Sequence, residues 1–248
     1  MGEAIPAATV IVMREAESGP PELLMVERAK AMTFAGGALV FPGGRVDPGD
    51  HALAALLPGD AEDNAHRIAA IRETIEEVGI AIGLDPVPVD LAAVRAALHA
   101  GTLFGEALDG VGAALAPEAL VPFARWLPNF AEHAARVFDT HFYLAQAPAD
   151  AEPIADGGET VRSFWASARE VLAMAERGEA RIIFPTRRNL ERLALFGSFA
   201  DAVADAIAHP VRTITPWIEE REGTRHLCIP DDLGYPVTSQ LFGEVMRG

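Results

Sequence analysis

The chain has 248 residues, half of them hydrophobic, and a formal net charge of −16. That length can bury a sizeable core in one large α/β domain or two small ones, and the charge argues against electrostatic capture of nucleic-acid polymers or anionic membranes. A single cysteine, Cys228, rules out an internal disulfide and fits a reducing, cytoplasmic setting; no apolar run approaches about 18 residues and no basic stretch opens the chain, so neither a membrane span nor a secretory leader is expected.

Ala7 to Met13 and Glu22 to Glu27 predict two strands, joined by the turn-forming run Ser18-Gly19-Pro20-Pro21. Ala38-Leu39-Val40 predicts a third, which runs into a Gly/Pro-rich loop from Phe41 to Asp50. Asn64 to Val78 predicts a helix, capped by Asp63 or Asn64 and ended by Gly79. At about 100° per residue, Ile68, Ile71, Ile75 and Val78 gather on one side of it and Glu73, Glu76 and Glu77 on the other. Like charges at these spacings destabilise a helix by roughly 0.2–0.5 kcal/mol per pair unless a cation relieves them. Oxygen-only ligands suit Mg²⁺ or Mn²⁺. The competing reading is a solvated acidic face.

Asp90 to Glu118, Ala/Leu-rich and broken by glycines, predicts two or three short helices that pack as an insert or cover a cleft. Strands are expected at Val121 to Trp126, Arg136 to Gln146 and Thr160 to Trp165, then a helix from Ala166 to Arg177 stopped by Gly178. Pro185 is placed to start another, and Ser198 with Asp201 to cap one more ending near His209. Arg212 to Glu219 and Thr224 to Ile229 read as a hairpin around Glu222-Gly223. With no repeat and no linker, the expected organisation is one domain, 1–248, with an insertion at about 51–63 and a helical and hairpin extension from about 185. No His stands at metal-ligand spacing from another His or Cys, which argues against zinc, and no G-x-S-x-G elbow supports an acyl-enzyme. Arg125 is a candidate phosphate or base contact, against the alternative of a solvated cation.

Strand, glycine loop and acidic helix, in that order, resemble the Nudix box, G-x5-E-x7-R-E-U-x-E-E-x-G-U with U aliphatic. Gly44 fits the first glycine, and Arg72, Glu73, Glu76, Glu77, Gly79 and Ile80 fit the second half. Asp50 stands in place of the first Glu and Thr74 at an aliphatic position, and residues 51–71 separate Asp50 from Arg72, 21 rather than seven. A long insert at this point, together with the runs Met32 to Gly44, Ala65 to Glu73 and Arg136 to Tyr143, resembles the nucleoside diphosphate-linked moiety X motif 19 type. Arg28-Ala29 with Gly37-x3-Phe41-Pro42-Gly43-Gly44 resembles part of the coenzyme A diphosphatase signature, although Thr33 replaces its second Arg and Met25-Val26 its Leu-Thr.

The resemblance implies an α/β/α sandwich around a mixed sheet with additional helices. It also implies a diphosphatase that uses Mg²⁺ or Mn²⁺, held by Gly44, Glu73, Glu76 and Glu77. Glu159 stands where Nudix enzymes place an extra ligand or base, six residues before Trp165; the alternative is a loop acid touching nothing. Arg72 would pin the helix carboxylates, Glu73 or Glu159 would act as general base, and Arg28 and Phe41 would meet the substrate. The expected partner is a small nucleotide-derived substrate, coenzyme A or acyl-coenzyme A first, with ADP-ribose, NADH or a nucleotide sugar as the alternative. No nucleic-acid polymer and no membrane are expected as partners, and a homodimer is left open. A reading from another class is a Nudix-derived binding module without catalysis.

Overall fold

The computed structural model describes residues 4–32, 35–87, 90–128 and 137–245; Thr33 of the diphosphatase signature and Arg136, the expected start of a strand, lie outside them. The first half runs β1 (Ile5–Arg14), β2 (Glu22–Arg28), β3 (Ala38–Val40), β4 (Gly43–Arg45), α1 (Pro48–Ala54), α2 (Ala61–Val78), β5 (Leu84–Asp85), α3 (Leu91–His99), α4 (Phe104–Asp109) and β6 (Ala114–Leu115). A 3₁₀ turn at Pro117–Ala119 then leads to β7 (Val121–Trp126), β8 (Phe138–Gln146), β9 (Thr160–Ser167), α5 (Ala168–Glu176), β10 (Arg181–Ile182), α6 (Phe184–Leu193) and α7 (Phe199–Ala208). The chain closes with β11 (Thr213–Ile214), β12 (Trp217–Arg221), β13 (Thr224–Cys228), β14 (Ser239–Leu241) and α8 (Phe242–Val245).

The main sheet is mixed, in the order β10-β3-β2-β1-β8-β7-β11, with β4 added to β1 and β9 to β2. Its centre is β1, parallel to β8 from Ile5↔Phe138 to Met13↔Gln146. Both faces of β1 are covered, so the strand reads as a near-continuous apolar run. Ala8, Val10 and Val12 point to one core, which they share with Ile68, Ile71, Ile75 and Val78 of α2, while Ile11 and Met13 point to a second core with Val171, Leu190 and Ala202 of α5, α6 and α7. Helices therefore cover the sheet on both sides, giving the expected α/β/α sandwich. Among the described residues no helix is long and apolar enough to cross a membrane.

Several boundaries differ from expectation. Helix α2 starts at Ala61, because the carboxylate of Asp60 accepts from the backbone of Glu62 and Asp63 and caps it. Asp63 is instead held by Arg67 and the Tyr143 hydroxyl. Gly79 does end the helix, in the left-handed conformation (φ 66°). Gly43-Gly44-Arg45 is a short strand rather than loop, because it pairs antiparallel with Ala7-Ala8-Thr9. The stretch Arg212 to Glu219 is not one strand: Thr213–Ile214 joins β7 in the main sheet, and only Trp217–Arg221 pairs with β13. The insertion folds as α1 and a turn, with Asp47 and Asp50 forming a reciprocal capping box. Leu53 and Leu57 pack on the α2 core, whereas Leu56 is 81% exposed.

Candidate active site

The carboxylates of α2 converge on the edge of the sheet where β4 pairs with β1. At Gly44 a β-carbon would lie 2.3 Å from Oε1 of Glu73, so any larger residue would push that carboxylate aside. One residue earlier, the backbone N–H of Gly43 donates to Oε2 of Glu77 at 3.1 Å. The strand thus carries one donor into the site and leaves a backbone beside Glu73.

Arg72 organises the acids. Its Nε and one terminal nitrogen bind both oxygens of Asp50 at 3.0 and 2.9 Å, the other terminal nitrogen donates to Glu73 and Glu76 at 2.9 and 3.0 Å, and a further bond reaches the Arg45 carbonyl. Asp50 is 1% exposed and also accepts from the Asp47 N–H. One planar guanidinium therefore ties α1, β4 and α2 together through charge-assisted bonds. Its pKa is raised by the Asp50 bond and the Glu73 and Asp50 charges, which outweigh its burial.

Burial pushes the Glu73 carboxyl up to about 7, with Arg72 opposing the shift and Glu76 adding to it. Burial and the neighbouring Glu73 charge push Glu77 up to about 8, against the Gly43 bond and Arg28. Glu76 is raised by burial as well. Two strands away, Arg28 lies 3.7 Å from Glu77 and 3.8 Å from Glu159, which is itself on the loop before β9. Among the described residues no three His, Cys, Asp or Glu side chains are already gathered as an ion cage, since the arginines hold these acids. The donor set still fits a hard divalent cation: several carboxylates short of positive charge and a backbone that approaches without a β-carbon.

Of the residues singled out from the sequence, Gly44, Arg72, Glu73, Glu76, Glu77, Arg28 and Glu159 are brought together. Two are not. Phe41 is 2% exposed and packs in the second core, so its ring is spent on packing rather than offered to a ligand. Arg125 is a bidentate partner of Asp139, at 2.8 and 2.6 Å, beside the opposite half of α2. Asp50 went unrecognised as a functional position. Its signal was present, because it stands at the box's first acid and follows Asp47-Pro48, a helix start that orients it inward.

No family model matches the chain. Among solved structures it is similar to a NUDIX hydrolase from Alicyclobacillus acidocaldarius, at 28% identity and a TM-score of 0.72, over 82% of this chain and 97% of that one. More distant likenesses are the NUDIX domain of Shewanella oneidensis NrtR complexed with ADP ribose (12% identity, TM-score 0.45, 77% of this chain and 86% of that one) and a MutT NUDIX hydrolase from Burkholderia pseudomallei (15%, 0.42, 77% and 98%). The likeness to the Alicyclobacillus structure spans nearly the whole of that chain. In its fold and over most of its length, the chain is similar to a Nudix hydrolase.

Proposed function

We propose that the chain is a pyrophosphohydrolase that cleaves a nucleoside diphosphate linked to another moiety, with Mg²⁺ or Mn²⁺ as cofactor. The observation that carries this reading is the meeting of Glu73 and Glu76 on one buried arginine, with Glu73 against the Gly44 backbone and Glu77 beside them on the Gly43 N–H. These three carboxylates and the Gly44 carbonyl would hold the metal, with Glu159 as a further ligand. A divalent ion bound there supplies neutralisation of the charge that develops on the phosphate oxygens and acidifies an attacking water. Arg72 holds Glu73 and Glu76 together, and its bidentate pair with Asp50 fixes the guanidinium. Arg28, 14% exposed at its side chain, lies beside Glu77 and Glu159 and would meet a substrate phosphate there. The proton of the attacking water goes to Glu73 or Glu159, which Glu73→Gln and Glu159→Gln separate by their effect on the pH profile.

The leading substrate is coenzyme A or acyl-coenzyme A, on the strength of the Arg28-Ala29 and Gly37 to Gly44 resemblance and the insertion in the box. We read the chain as one domain, with the insertion as a packing element against α2. A substrate panel in Mg²⁺, resolved by product mass, tests this. 3′,5′-ADP from coenzyme A supports the leading substrate; AMP from dinucleotides or nucleotide sugars moves the reading to those compounds; no product from any anhydride overturns it.

A further inference from the structure

The last turn of α2 is held by an element that the box does not contain. Helix ends leave carbonyls without intrahelical partners, and in α2 these belong to the residues that carry the acids. The Arg95 side chain, on α3, donates through Nε to the Glu76 carbonyl and through a terminal nitrogen to the Glu77 carbonyl, each at 3.0 Å. His99 contacts the same Glu76 carbonyl at 3.1 Å. The Glu77 carbonyl is shared: it also accepts from the Asp156 N–H at 3.0 Å, and the next carbonyl, of Val78, accepts from Ile154 at 2.9 Å. Asp156 in turn accepts from the backbone N–H groups of Glu159 and Thr160, at 3.1 and 2.8 Å. Room for the guanidinium is made by Gly79, where a β-carbon would lie 3.2 Å from an Arg95 nitrogen.

We propose that Arg95 is a positioning residue for the metal site, fixing the backbone of Glu76 and Glu77 and, through the shared Glu77 carbonyl and Asp156, the spacing between Glu77 and Glu159. This rests on the metal-dependent reading above and adds a residue to it. The arrangement brackets the pair from both sides, since Arg28 lies between the Glu77 and Glu159 carboxylates while Arg95 holds the backbones behind them. A cation at this end also complements the helix dipole. A two-pronged fork reaches two successive carbonyls, which an ammonium cannot do in the same geometry. The Ala/Leu-rich insert thereby acquires a role beyond covering the core: α3 sets the geometry of the acids without touching substrate.

The test is Mn²⁺ binding to the folded full-length protein, read by electron paramagnetic resonance of free Mn²⁺, for wild type, Arg95→Met and Arg95→Lys, with kcat and KM measured beside it. Arg95→Met should weaken Mn²⁺ binding about tenfold, in the range seen when partners behind metal ligands are removed, and lower kcat with KM little changed. Arg95→Lys should recover only part of that loss, because it restores charge and not the fork. A purely structural role would lower the melting temperature of Arg95→Met and leave the Mn²⁺ affinity of the folded protein at the wild-type value, which would overturn the proposal. Should Arg95→Met not fold, wild-type affinity in Arg95→Lys overturns it equally. Failure of wild type to bind Mn²⁺ sinks the metal reading itself, and this proposal with it.

Discussion

The two halves of α2 face the same side of the sheet with opposite electrostatics. In the N-terminal half, Asp63 accepts from Arg67 at 2.7 Å and from the Tyr143 hydroxyl at 2.8 Å, and His66 stacks on His141 with ring centroids 3.9 Å apart. Asp63 and Arg67 are paired there, and burial with the His66 and Arg125 charges pushes His141 down to about 4. In the C-terminal half the carboxylates outnumber the arginines, and burial pushes Glu73 and Glu77 up to about 7 and 8. The first half is a finished latch of helix to sheet, and the second is left in deficit. Groups whose folded pKa is raised stabilise the fold below their unfolded value and lose that contribution as pH rises through the folded one. The carboxylate half therefore weakens between about pH 4.5 and pH 8 in the absence of metal. The sign is reversed for His141, whose contribution is present above about pH 6.5 and is lost as pH falls toward 4. A cation at the carboxylate half would supply what that half lacks, which is the proposed role of this end of the helix.

Three substitutions break this contrast, in decreasing order of effect. Glu76→Gln should lower turnover by roughly a hundredfold or more, since it removes a carboxylate proposed to bind the metal directly. Because the change also relieves repulsion, its melting temperature should stay at or slightly above that of wild type. Near-wild-type turnover at limiting Mg²⁺ would contradict the assignment. Asp50→Ala should cost about 3 kcal/mol in urea unfolding, because it strips a buried guanidinium of its bidentate partner, and turnover should fall as Arg72 loses its anchor; a loss below about 1 kcal/mol would mean that Glu73, Glu76 and the Arg45 carbonyl suffice to hold it. Tyr143→Phe should cost about 1 kcal/mol by removing one bond to Asp63 while leaving Mn²⁺ affinity and turnover within about twofold. A large catalytic defect in that variant would mean that the two halves of the helix are coupled.

Much of this was legible in local pattern. The opposed Ile and Glu arcs of α2, the glycine that ends it, and the strand-loop order before it depend on periodicity and turn chemistry, which a sequence displays directly. Long-range pairing was not legible. Nothing near Gly43 announces that it will form a strand, because its partners Ala7 to Thr9 lie more than 30 residues earlier. The same holds for Phe41, aromatic and close to the box: its burial is decided by β10 and α6, far along the chain, whose residues Ile182, Phe184 and Leu190 share its core. Asp50 stands apart from the box pattern, yet the residues between it and Arg72 form the rest of α1, a turn and the first part of α2, which return the two side chains to hydrogen-bonding distance. Loop-closure entropy grows slowly with length, so such an excursion adds little cost. Arg95 carried no signal at all, since an arginine in an Ala/Leu-rich helix looks like any solvated cation until the end of α2 is placed beside it.

The central claim, that the carboxylate half of α2 is an electrostatic deficit completed by a divalent cation, is tested most directly by thermal unfolding at pH 5 and pH 8, with and without Mg²⁺, in wild type and Glu76→Gln. Ligand binding to the native state raises its stability by mass action, and more so where protons do not compete for the ligands. The account predicts a Mg²⁺-dependent rise in wild-type melting temperature that is small at pH 5, larger at pH 8, and lost in Glu76→Gln. An equal shift in both proteins, or no shift at pH 8 in wild type, would contradict it.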